Sequence, residues 1–570
     1  MSTNEIPFSH YPQQPHGGVL VNQVVSADDY DAAMAKAKTL PVIRIDLEAA
    51  ITIEMIATGV LSPNNGFMNE DDYHSVLSNG RLANGVVWPV PLSFAPIGER
   101  NGQVIASLAK GDEVALVDHS RTIVAVLKVE DIFAYDRNLR AEKVFGTSDR
   151  NHPGVDAIYR RMGDTALGGP LTLLNRVHWG PFEKLRLEPK DTWRLFYEEK
   201  KFRSVAGFIT GANPLHRGHE YIHKNALEEI DGLLLQPLVE MAKREYVRHE
   251  YRMMAYRNVL EQYYPKGRSV LSPLRVTYIF AGPRETVLHA LIMKNYGCTH
   301  ALIGRDHAGI GSFYNKYASH TIFDDFKPDE LGIDVRLFHE VFYCSRCANH
   351  ATSQSCPHDE QYRLNISGTG IREMLRHGVL PPKEVVRPES AQVAIQGIQP
   401  KGLDATNGET VLPVAKVIES MYPFYRHYSR LGGSPRPKPL DASQLTLADL
   451  ERATLDVREH AGQIYQDIHT EYAFIADHDA AMVPNWITKT RQAMAAQQQA
   501  LVDDLKEKLE QASDTVSDEF MYQDKAEVQK ELDAAEKWQQ SLPQAPSNDE
   551  RQQRLWNPFP YQRYRGADEE

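Results

Sequence analysis

The sequence predicts an α/β protein built in successive parts: a mostly β domain, a domain with a parallel sheet, and a helical extension. Up to about residue 170, short apolar runs alternate with Gly, Pro and Asn, a pattern typical of strands and turns. Between about residues 200 and 390, apolar strand-like runs alternate with helical patterns, which favours a parallel sheet. After about residue 395 the chain becomes rich in Pro, Gly and Ser, and then in Ala, Gln, Glu and Lys.

The apolar runs give individual elements to each part. In the first part we expect strands at residues 85–94, 103–108, 113–118 and 122–129. In the second part we expect strands at 204–209, 232–239, 299–305 and 333–339, and helices at 215–230, 249–264 and 285–297. A ligand site is expected at the carboxyl ends of these parallel strands.

Composition excludes several classes of partner. The formal net charge of -13 over 570 residues disfavours binding to nucleic acid or to an anionic membrane. No apolar run has the length of a membrane span, and the polar N-terminus has no signal-peptide pattern. The sequence therefore predicts a cytoplasmic protein.

The stretch "GFITGANPLHRGHEYI", residues 207–222, joins a strand to a helix. A helix N-terminus attracts phosphate through its unpaired backbone N–H groups and its dipole, and Pro214 suits a first helical turn. His216 and His219 would then project from one face, while Gly218 would let a ligand approach the backbone. The alternative is a pair of ordinary helix histidines.

A second candidate phosphate site is "NISGTGIREML", residues 365–375. Ser367 and Thr369 are natural N-cap residues, Gly368 frees the turn, and Arg372 follows within one helical turn. A capped helix with a purely structural role is the alternative. Between the two stretches lies "IGRDHAGIG", residues 303–311, which offers backbone donors, a cation, a carboxylate and an imidazole, or only a tight turn held by Asp306.

Three of the four cysteines are clustered. Cys344, Cys347, Cys356 and His358 form the pattern C-x2-C-x8-C-x-H, which is typical of a tetrahedral zinc site. All four ligand positions are filled by protein, so the pattern indicates structural zinc. Three surface thiols near a loop histidine are the alternative interpretation.

The motifs HRGH, GRDHAG and ISGT, in this order, resemble those of the ATP sulfurylase family within the α/β nucleotidylyltransferase superfamily. The similarity extends to "GVLSPNNGFMNEDDY", "FGTSDRNHPGV", "LGGPLTLLNR" and "AGPRETVLHALIMKNYGCTH", and covers about residues 15–395. It implies a PUA-like β domain (1–170), a Rossmann-like catalytic α/β domain (171–335) and a small zinc-binding and ISGT subdomain (336–395). A linker (396–445) and a helical C-terminal extension (446–570) would follow.

The resemblance also implies an activity, in which MgATP and sulfate react reversibly to give adenosine 5′-phosphosulfate and pyrophosphate. ATP, sulfate and Mg²⁺ are the implied ligands, and a homo-oligomer is the implied assembly. His216 and His219 would stabilise the transition state and Asn213 would orient the phosphates. The other implied nucleotide-binding residues are Gly218, Gly304, Arg305, Asp306, His307, Ser367, Thr369 and Arg372. Lys243 is a weaker candidate for phosphate, and a solvated surface lysine explains it equally well.

The sequence departs from the family at the sulfate site. The family has Gln-x-Arg-Asn-Pro where this chain has "TGANP", so Thr210 replaces the glutamine and Ala212 the arginine that hold sulfate. A second family arginine is replaced near Ile279 and Phe280. Without guanidinium groups, a bound dianion lacks its best bidentate donors.

Three interpretations follow from this departure. The protein is an ATP sulfurylase whose anion site uses other cations, among them Arg217, Arg284, Arg244 and Arg248, or an adenylyltransferase with a different acceptor, or a homologue without turnover that binds nucleotide or supports assembly. The first is favoured, and the direction of flux stays open. The extension lacks a P-loop motif, and its helical pattern at Met494, Leu501, Leu505 and Leu509 predicts oligomerisation or docking of a partner.

Overall fold

The computed structural model describes most of the chain up to residue 397. The described residues are 8–118, 121–177, 179–239, 247, 249–276, 279–310, 313–366, 368–376 and 380–397. Seven residues of the extension are also described, namely Val502, Asp503, Lys506, Gln529, Leu532, Asp533 and Glu536.

The first domain contains a six-stranded sheet with the order β1-β3-β4-β6-β2, in which β5 also pairs with β6. Only the β1–β3 pair is parallel. Apolar residues alternate or run continuously along these strands, and most of them are buried. The strands are β1 (Val42–Arg44), β2 (Gly66–Phe67), β3 (Glu113–Val117), β4 (Ile123–Lys128), β5 (Asp131–Ala134) and β6 (Thr165–Leu173).

Helices surround this sheet, so the domain is mixed α/β rather than mostly β. They are α1 (Tyr30–Ala37), α2 (Leu47–Ala57), α3 (Glu70–Asn79), α4 (Glu99–Ser107), α5 (Arg137–Phe145) and α6 (Pro153–Arg161). Several have polar N-caps, such as Asn69 before α3 and Asp136 before α5. The sheet also continues through Leu173, beyond the predicted boundary at residue 170.

Two predicted strands of this domain are wrong. Residues 103–108 lie largely in α4, where Asn101 and Ile105 are buried four residues apart on one helical face. The Asn101 amide donates to the carbonyl of Arg44 and accepts from its N–H, which fastens α4 to the edge strand β1. Residues 85–94 contain no strand, only an isolated bridge between Arg81 and Val87.

The second domain has the predicted parallel sheet, with the order β11-β10-β7-β8-β9. The strands are β7 (Val205–Thr210), β8 (Gly232–Pro237), β9 (Ser269–Leu271), β10 (His300–Ile303) and β11 (Asp334–Leu337). The helices are α7 (Pro189–Trp193), α8 (Arg217–Glu229), α9 (His249–Tyr263), α10 (Pro283–Asn295), α11 (Ala318–Thr321) and α12 (Pro328–Leu331). Every residue of β7 and β8 is buried, as expected for central parallel strands.

The strand order places a topological switch point between β7 and β10. The chain first builds β7, β8 and β9 outward on one side and then returns to add β10 and β11 on the other. The loops after β7 and β10 therefore diverge and leave a crevice at the carboxyl ends of these strands, where ligands bind in such folds.

A third, smaller sheet has the order β13-β12-β14, and all of its pairs are antiparallel. Its elements and those that follow are β12 (Phe342–Cys344), β13 (Asn349–Ala351), β14 (Arg363–Asn365), α13 (Gly368–Arg376) and α14 (Pro388–Gly397). Helix α14 packs against α9, with Gly397 lying close to the ring of Tyr251. The predicted linker, which begins at residue 396, thus starts inside α14.

The first two domains share one hydrophobic core and a guanidinium contact. Arg284 at the start of α10 donates to the carbonyls of Val76, Pro89 and Leu77 over 3.2, 3.0 and 3.1 Å. Carbonyls near the end of α3 and in the loop at Pro89 thereby obtain donors from the second domain.

The described residues of the extension are helical. Val502 and Leu532 are buried, and the Lys506 ammonium lies 2.9 Å from the Glu536 carboxylate, so the two segments are in contact. Met494, Leu501, Leu505 and Leu509 lie outside the described residues. None of the described helices combines the length and apolar character needed to cross a bilayer.

Candidate active site

A cavity of about 380 Å³, here called the central cavity, opens at the switch point between β7 and β10. Most of the site residues predicted from the sequence line it, although they are separated by about ninety positions in the chain. The predicted residues that line it are Thr210, Ala212, His216, Gly218, His219, Gly304, Arg305, Asp306 and His307.

His216 and His219 form a stacked pair at the start of α8. His216 is the N-cap residue and His219 the third helical residue, and their ring centroids lie 3.7 Å apart. The backbone N–H of His216 donates to Nδ1 of His219 over 3.4 Å, so the ring proton of neutral His219 lies on Nε2. Pro214 follows a cis peptide bond from Asn213 and lies before α8, which begins at Arg217. The prediction that Pro214 lies in the first helical turn is therefore wrong.

Both imidazoles are held neutral in this site. Desolvation lowers the pKa of His219 to about 4, and desolvation together with the neighbouring His219, His350 and His223 lowers the pKa of His216 well below 6.5. The buried Nδ1 of His216 has no hydrogen-bond partner in the described structure. The pair therefore offers polar atoms to a ligand without bringing a fixed positive charge.

The loop after β10 forms the opposite wall. Asp306 and Ala308 have φ angles of 57° and 56°, in the left-handed region that non-glycine residues seldom occupy. The loop is anchored by the carbonyl of His307, which accepts from the hydroxyls of Thr286 (3.1 Å) and Ser319 (2.7 Å). Strained backbone held by several outside contacts is typical of a binding site.

Polar side chains of this wall are paired with one another. Nε2 of His307 lies 2.8 Å from Nδ1 of His289, and desolvation lowers the pKa of His307 to about 4. The Arg305 guanidinium lies 3.2 Å from the Glu340 carboxylate, and both residues line the cavity. Desolvation raises the pKa of Asp306 above its ordinary value.

The ISGT segment adjoins the same cavity. Ile366 lines it and packs against the HRGH turn, since its Cδ1 lies 3.4 Å from the position a Cβ on Gly218 would take. Any larger residue at position 218 would also place its Cβ 3.1 Å from the His216 ring, so glycine is favoured there. The starts of α8 and α13 are therefore neighbours.

The polar residues of that segment are placed less directly. Ser367 lies outside the described residues, and Thr369 lies in the first turn of α13. Arg372 is half-buried and is not among the residues that line the central cavity; its Nη1 lies close to Gly368.

Asn213 lies beside the cavity rather than in its wall. Its side-chain amide donates to the carbonyl of Val247 over 3.0 Å and accepts from the N–H of Val247 over 2.9 Å. Both polar groups of the amide are thus used to hold the chain after β8 against the HRGH turn. The second N–H of the amide is not used in this contact, so a direct contact of Asn213 with phosphate, as the resemblance implies, stays a prediction.

The part of the cavity formed by Thr210, Ala212 and Phe280, here called the acceptor wall after the role that the resemblance implies for its first two residues, has little charge. The Thr210 hydroxyl accepts from the N–H of Ala212 over 3.0 Å, and the carbonyl of Ala212 accepts from the Tyr256 hydroxyl over 2.9 Å. These contacts fix the turn after β7 without placing a cation at the cavity surface.

The cations proposed as replacements are not in this wall. Arg217 donates to the carbonyl of Lys383 over 3.2 Å, and Arg284 binds carbonyls of the first domain. Neither lines the cavity, so the prediction for these two arginines is wrong, because each guanidinium donates to backbone carbonyls elsewhere. Lys243, Arg244 and Arg248 lie outside the described residues.

Sequence reasoning missed His249 and Arg252, two residues of α9 that line the cavity. Arg252 is buried and donates to the carbonyl of Leu238 over 2.6 Å. Both ring nitrogens of His249 are buried without a hydrogen-bond partner in the described structure. Desolvation, and then the charge of Arg252, lower the pKa of His249 to about 3. The available signal was the position of His249 at the start of the helix that follows β8.

The four predicted metal ligands are brought together. Nδ1 of His358 lies 3.4, 3.2 and 3.6 Å from the sulfurs of Cys344, Cys347 and Cys356, and the last two sulfurs are 3.8 Å apart. Tetrahedral Zn²⁺ with ordinary bond lengths requires ligand separations of about 3.5–3.8 Å. The donor set therefore fits zinc, and it lies at the end of β12, next to the strand that leads into Ile366.

Comparisons with known proteins agree with this geometry. Residues 183–396 match the ATP-sulfurylase family, and residues 13–176 match the PUA-like domain family. A sulfate adenylyltransferase of Symbiobacterium thermophilum is 44% identical over 385 residues, which span 68% of this chain and 96% of that protein. Proteins of the same name from Aeropyrum pernix and Synechococcus sp. are 44% and 41% identical, over 99% and 97% of their lengths.

A solved structure shares the fold. It is a hexameric APS kinase from Thiobacillus denitrificans, which matches with a TM-score of 0.52 and 22% identity and covers 67% of both chains. The extension beyond residue 397 lies outside the family match. On the extent of the match to the named relatives, this chain belongs to the ATP-sulfurylase family, with a PUA-like domain ahead of the matched region.

Proposed function

We propose that this protein transfers the adenylyl group of MgATP to sulfate and so forms adenosine 5′-phosphosulfate and pyrophosphate. The observation that carries the proposal is the stacked His216–His219 pair at the N-terminus of α8, facing the central cavity. Family membership supports the same chemistry.

The triphosphate would lie on the side of the cavity formed by α8 and the loop after β10. The N-terminus of α8 supplies a positive dipole end, and Gly218 allows close approach. Arg305, Asp306 and His307 would contact the nucleotide, and Ser367, Thr369 and Arg372 would act from the adjoining start of α13. Asn213 acts as a positioning residue, since its amide holds Val247.

The reaction needs no covalent intermediate and no general base. A sulfate oxygen attacks the α-phosphorus in line, the bond from that phosphorus to the bridging oxygen breaks, and its electron pair leaves with pyrophosphate. Nε2–H of His219 is available to donate to an oxygen on which charge develops. His216 would act on the same phosphate through its second ring nitrogen.

Mg²⁺ would enter with ATP and neutralise the phosphate oxygens of the leaving group. It prefers oxygen ligands and retains water. Asp306 offers an exposed carboxylate at the cavity, and no ion pair engages it within the described structure. This carboxylate could approach the ion.

Sulfate would occupy the acceptor wall. Arg252, whose Nη2 donates to the Leu238 carbonyl, and His249, whose ring nitrogens have no partner in the described structure, line the same cavity. A neutral imidazole can donate one hydrogen bond to a sulfate oxygen. We infer that His249 and Arg252 bind the acceptor in place of the arginines that the family uses.

A second function is favoured by the same wall. Because Thr210, Ala212 and Phe280 offer an uncharged surface, an acceptor with less charge than sulfate would lose less solvation there. The second candidate is adenylyl transfer to such an acid. A homologue without turnover, serving in nucleotide binding or assembly, is the remaining interpretation.

We also propose that Cys344, Cys347, Cys356 and His358 hold structural Zn²⁺. The site would fix β12 to the loop before β14 and so hold Ile366 against Gly218. A cytoplasmic location, a homo-oligomer and a docking role for the extension stay predictions from the sequence.

Pyrophosphate release from MgATP tests the three interpretations. We expect release that depends on sulfate. Release with phosphate or with small carboxylic acids but not with sulfate would favour the second candidate, and no release with any acceptor would contradict both catalytic functions. The His74→Ala variant, at an exposed position in the first domain, is the matched control for histidine substitutions.

A further inference from the structure

A second cavity, here called the inter-domain cavity, has a volume of about 200 Å³ and lies between the first two domains. Its walls come from α2, α5, α6 and the segment 90–97 of the first domain, and from residues around Ile279 in the second. Apolar side chains form most of the surface, including Phe67 and Phe94, whose rings stack with centroids 4.7 Å apart.

One buried cation lines this apolar cavity. It is Arg140 on α5, a residue that is only 7% exposed. Its Nη1 donates to the carbonyl of Pro91 over 3.2 Å and to the hydroxyl of Ser93 over 3.1 Å. Its Nε is buried and has no acceptor, and no carboxylate in the described part of the chain forms an ion pair with it.

The other side of the cavity shows how the protein treats a guanidinium that it pairs internally. Arg161 donates to both carboxylate oxygens of Asp46, over 3.1 and 3.0 Å, and also pairs with Glu48. Buried cations are ordinarily paired in this way. Arg140 is therefore a cation without a paired carboxylate among the residues that the structure describes, and it faces a cavity large enough to admit one.

We propose that the inter-domain cavity binds a small organic acid with one carboxylate, which pairs with Arg140, and an apolar body that packs on Phe67, Phe94 and Phe145. A single unpaired cation matches a monoanion, whereas sulfate or a phosphate ester would bring a second charge into an apolar enclosure. The planar guanidinium can donate two parallel hydrogen bonds to a carboxylate.

The occupant would lie against the back of the acceptor wall. Ile279 and Phe280 line the inter-domain cavity, and Phe280 lines the central cavity as well. Phe280 has a φ of 61°, and its carbonyl accepts from the Tyr314 hydroxyl over 2.9 Å. The Glu285 carboxylate accepts from the N–H groups of Ile279 and Ala281 over 2.9 and 3.0 Å. The bound acid would thus contact a rigid turn shared by both cavities.

Isothermal titration of the full chain with four probes tests this site. The probes are benzoate and hexanoate, with benzamide and hexanamide as uncharged counterparts of the same shape. We expect the carboxylates to bind about tenfold or more tightly than their amides, because only they pair with Arg140. The Arg140→Gln variant should lose this preference, whereas Arg137→Gln, a substitution on the same helix at a residue paired with Asp164, should retain it.

Two results would overturn the proposal: no binding of either carboxylate to the unaltered protein, or equal carboxylate binding by Arg140→Gln. The Arg140→Gln variant also loses the contacts with Pro91 and Ser93, so a second variant is needed. Ala157→Leu keeps Arg140 and fills the cavity from a half-buried position in its wall. We expect it to abolish binding of all four probes, and unchanged binding would contradict the site. ATP binding, measured on each variant, reports the central cavity separately, so failure of this proposal leaves the proposed function untouched.

Discussion

The two sides of the central cavity are built on different principles. On the nucleotide side, the stacked His216–His219 pair and the loop after β10 present several polar groups held by outside contacts. On the acceptor side, the Thr210 hydroxyl and the backbone groups of Ala212 form hydrogen bonds that hold the local turn. Under the proposed function, the side that would bind the triphosphate keeps the polar groups of the family motifs, whereas the side that would bind the acceptor lacks the guanidinium groups of the family.

The largest expected effect is on the nucleotide side. Replacing His219 with Ala removes the donor proposed to contact the reacting phosphate, so we expect kcat/KM to fall by about 10²–10³-fold. Steady-state pyrophosphate release measures the loss, and His74→Ala should leave the rate unchanged. Equal rates for His219→Ala and the unaltered protein would remove the basis for assigning that side to the triphosphate.

The nucleotide side should also depend on the metal cluster. Substituting Cys356 with Ser removes one of four ligands, and we expect metal affinity to fall by at least about 10–100-fold. Elemental analysis should find about one zinc per chain before the change and less after it. Since β14 leads from this cluster to Ile366, ATP binding should weaken in parallel.

Cys298 provides the matched control for that experiment. It is a buried free thiol outside the cluster, so Cys298→Ser should retain the metal. Full zinc content in Cys356→Ser would contradict the ligand assignment.

The acceptor side can be sharpened by restoring a guanidinium. Ala212→Arg places a cation in the acceptor wall, and a charge-assisted hydrogen bond there should lower the KM for sulfate by about tenfold or more. Ala212→Met, which adds length without charge, should not lower it. If sulfate KM is unchanged by the arginine, the acceptor binds elsewhere.

The smallest expected effect is a pH dependence of the free energy of unfolding, which arises from His219 on the nucleotide side. Its pKa is lowered to about 4 by burial, whereas the unfolded chain titrates near 6.5. As the pH falls from about 6.5 to 4, the unfolded chain therefore binds the proton first, and the free energy of unfolding decreases by at most about 1.4 kcal/mol per pH unit for this group. Above that range its contribution to stability is fully present.

Denaturant unfolding at several pH values measures this slope. The His219→Asn variant should show a shallower decrease between pH 6.5 and 4, and His74→Ala should match the unaltered protein. An unchanged slope in His219→Asn would show that this imidazole is not held neutral in the folded state.

The comparison also shows which features a sequence makes visible. The strand-loop-helix order placed β7, α8, β10 and α13 correctly, because periodic apolar runs and local motifs record secondary structure directly. Residues 103–108 were misassigned, because their apolar content suits a strand and only tertiary contacts of Asn101 and Ile105 decide for a helix.

Side-chain roles were harder to predict than elements. The motifs HRGH and GRDHAG identified residues of the cavity, because each motif lies within one short segment and can be recognised from the sequence alone. Asn213 forms hydrogen bonds with the backbone of Val247, and Arg284 forms them with carbonyls of the first domain. Such contacts depend on which distant backbone groups need a partner, and the sequence does not show this. The same limit hid His249, whose relevance arises only from its position in the folded cavity.

The most direct test of the central claim is the identity of the product. The protein is incubated with MgATP, heavy-isotope sulfate and pyrophosphatase, and the nucleotides are analysed by mass spectrometry. We predict adenosine 5′-phosphosulfate that carries the heavy sulfur, formed by the unaltered protein and at least about a hundredfold less by His219→Ala. Phosphate formed from released pyrophosphate, without any sulfur-labelled nucleotide, would contradict the account.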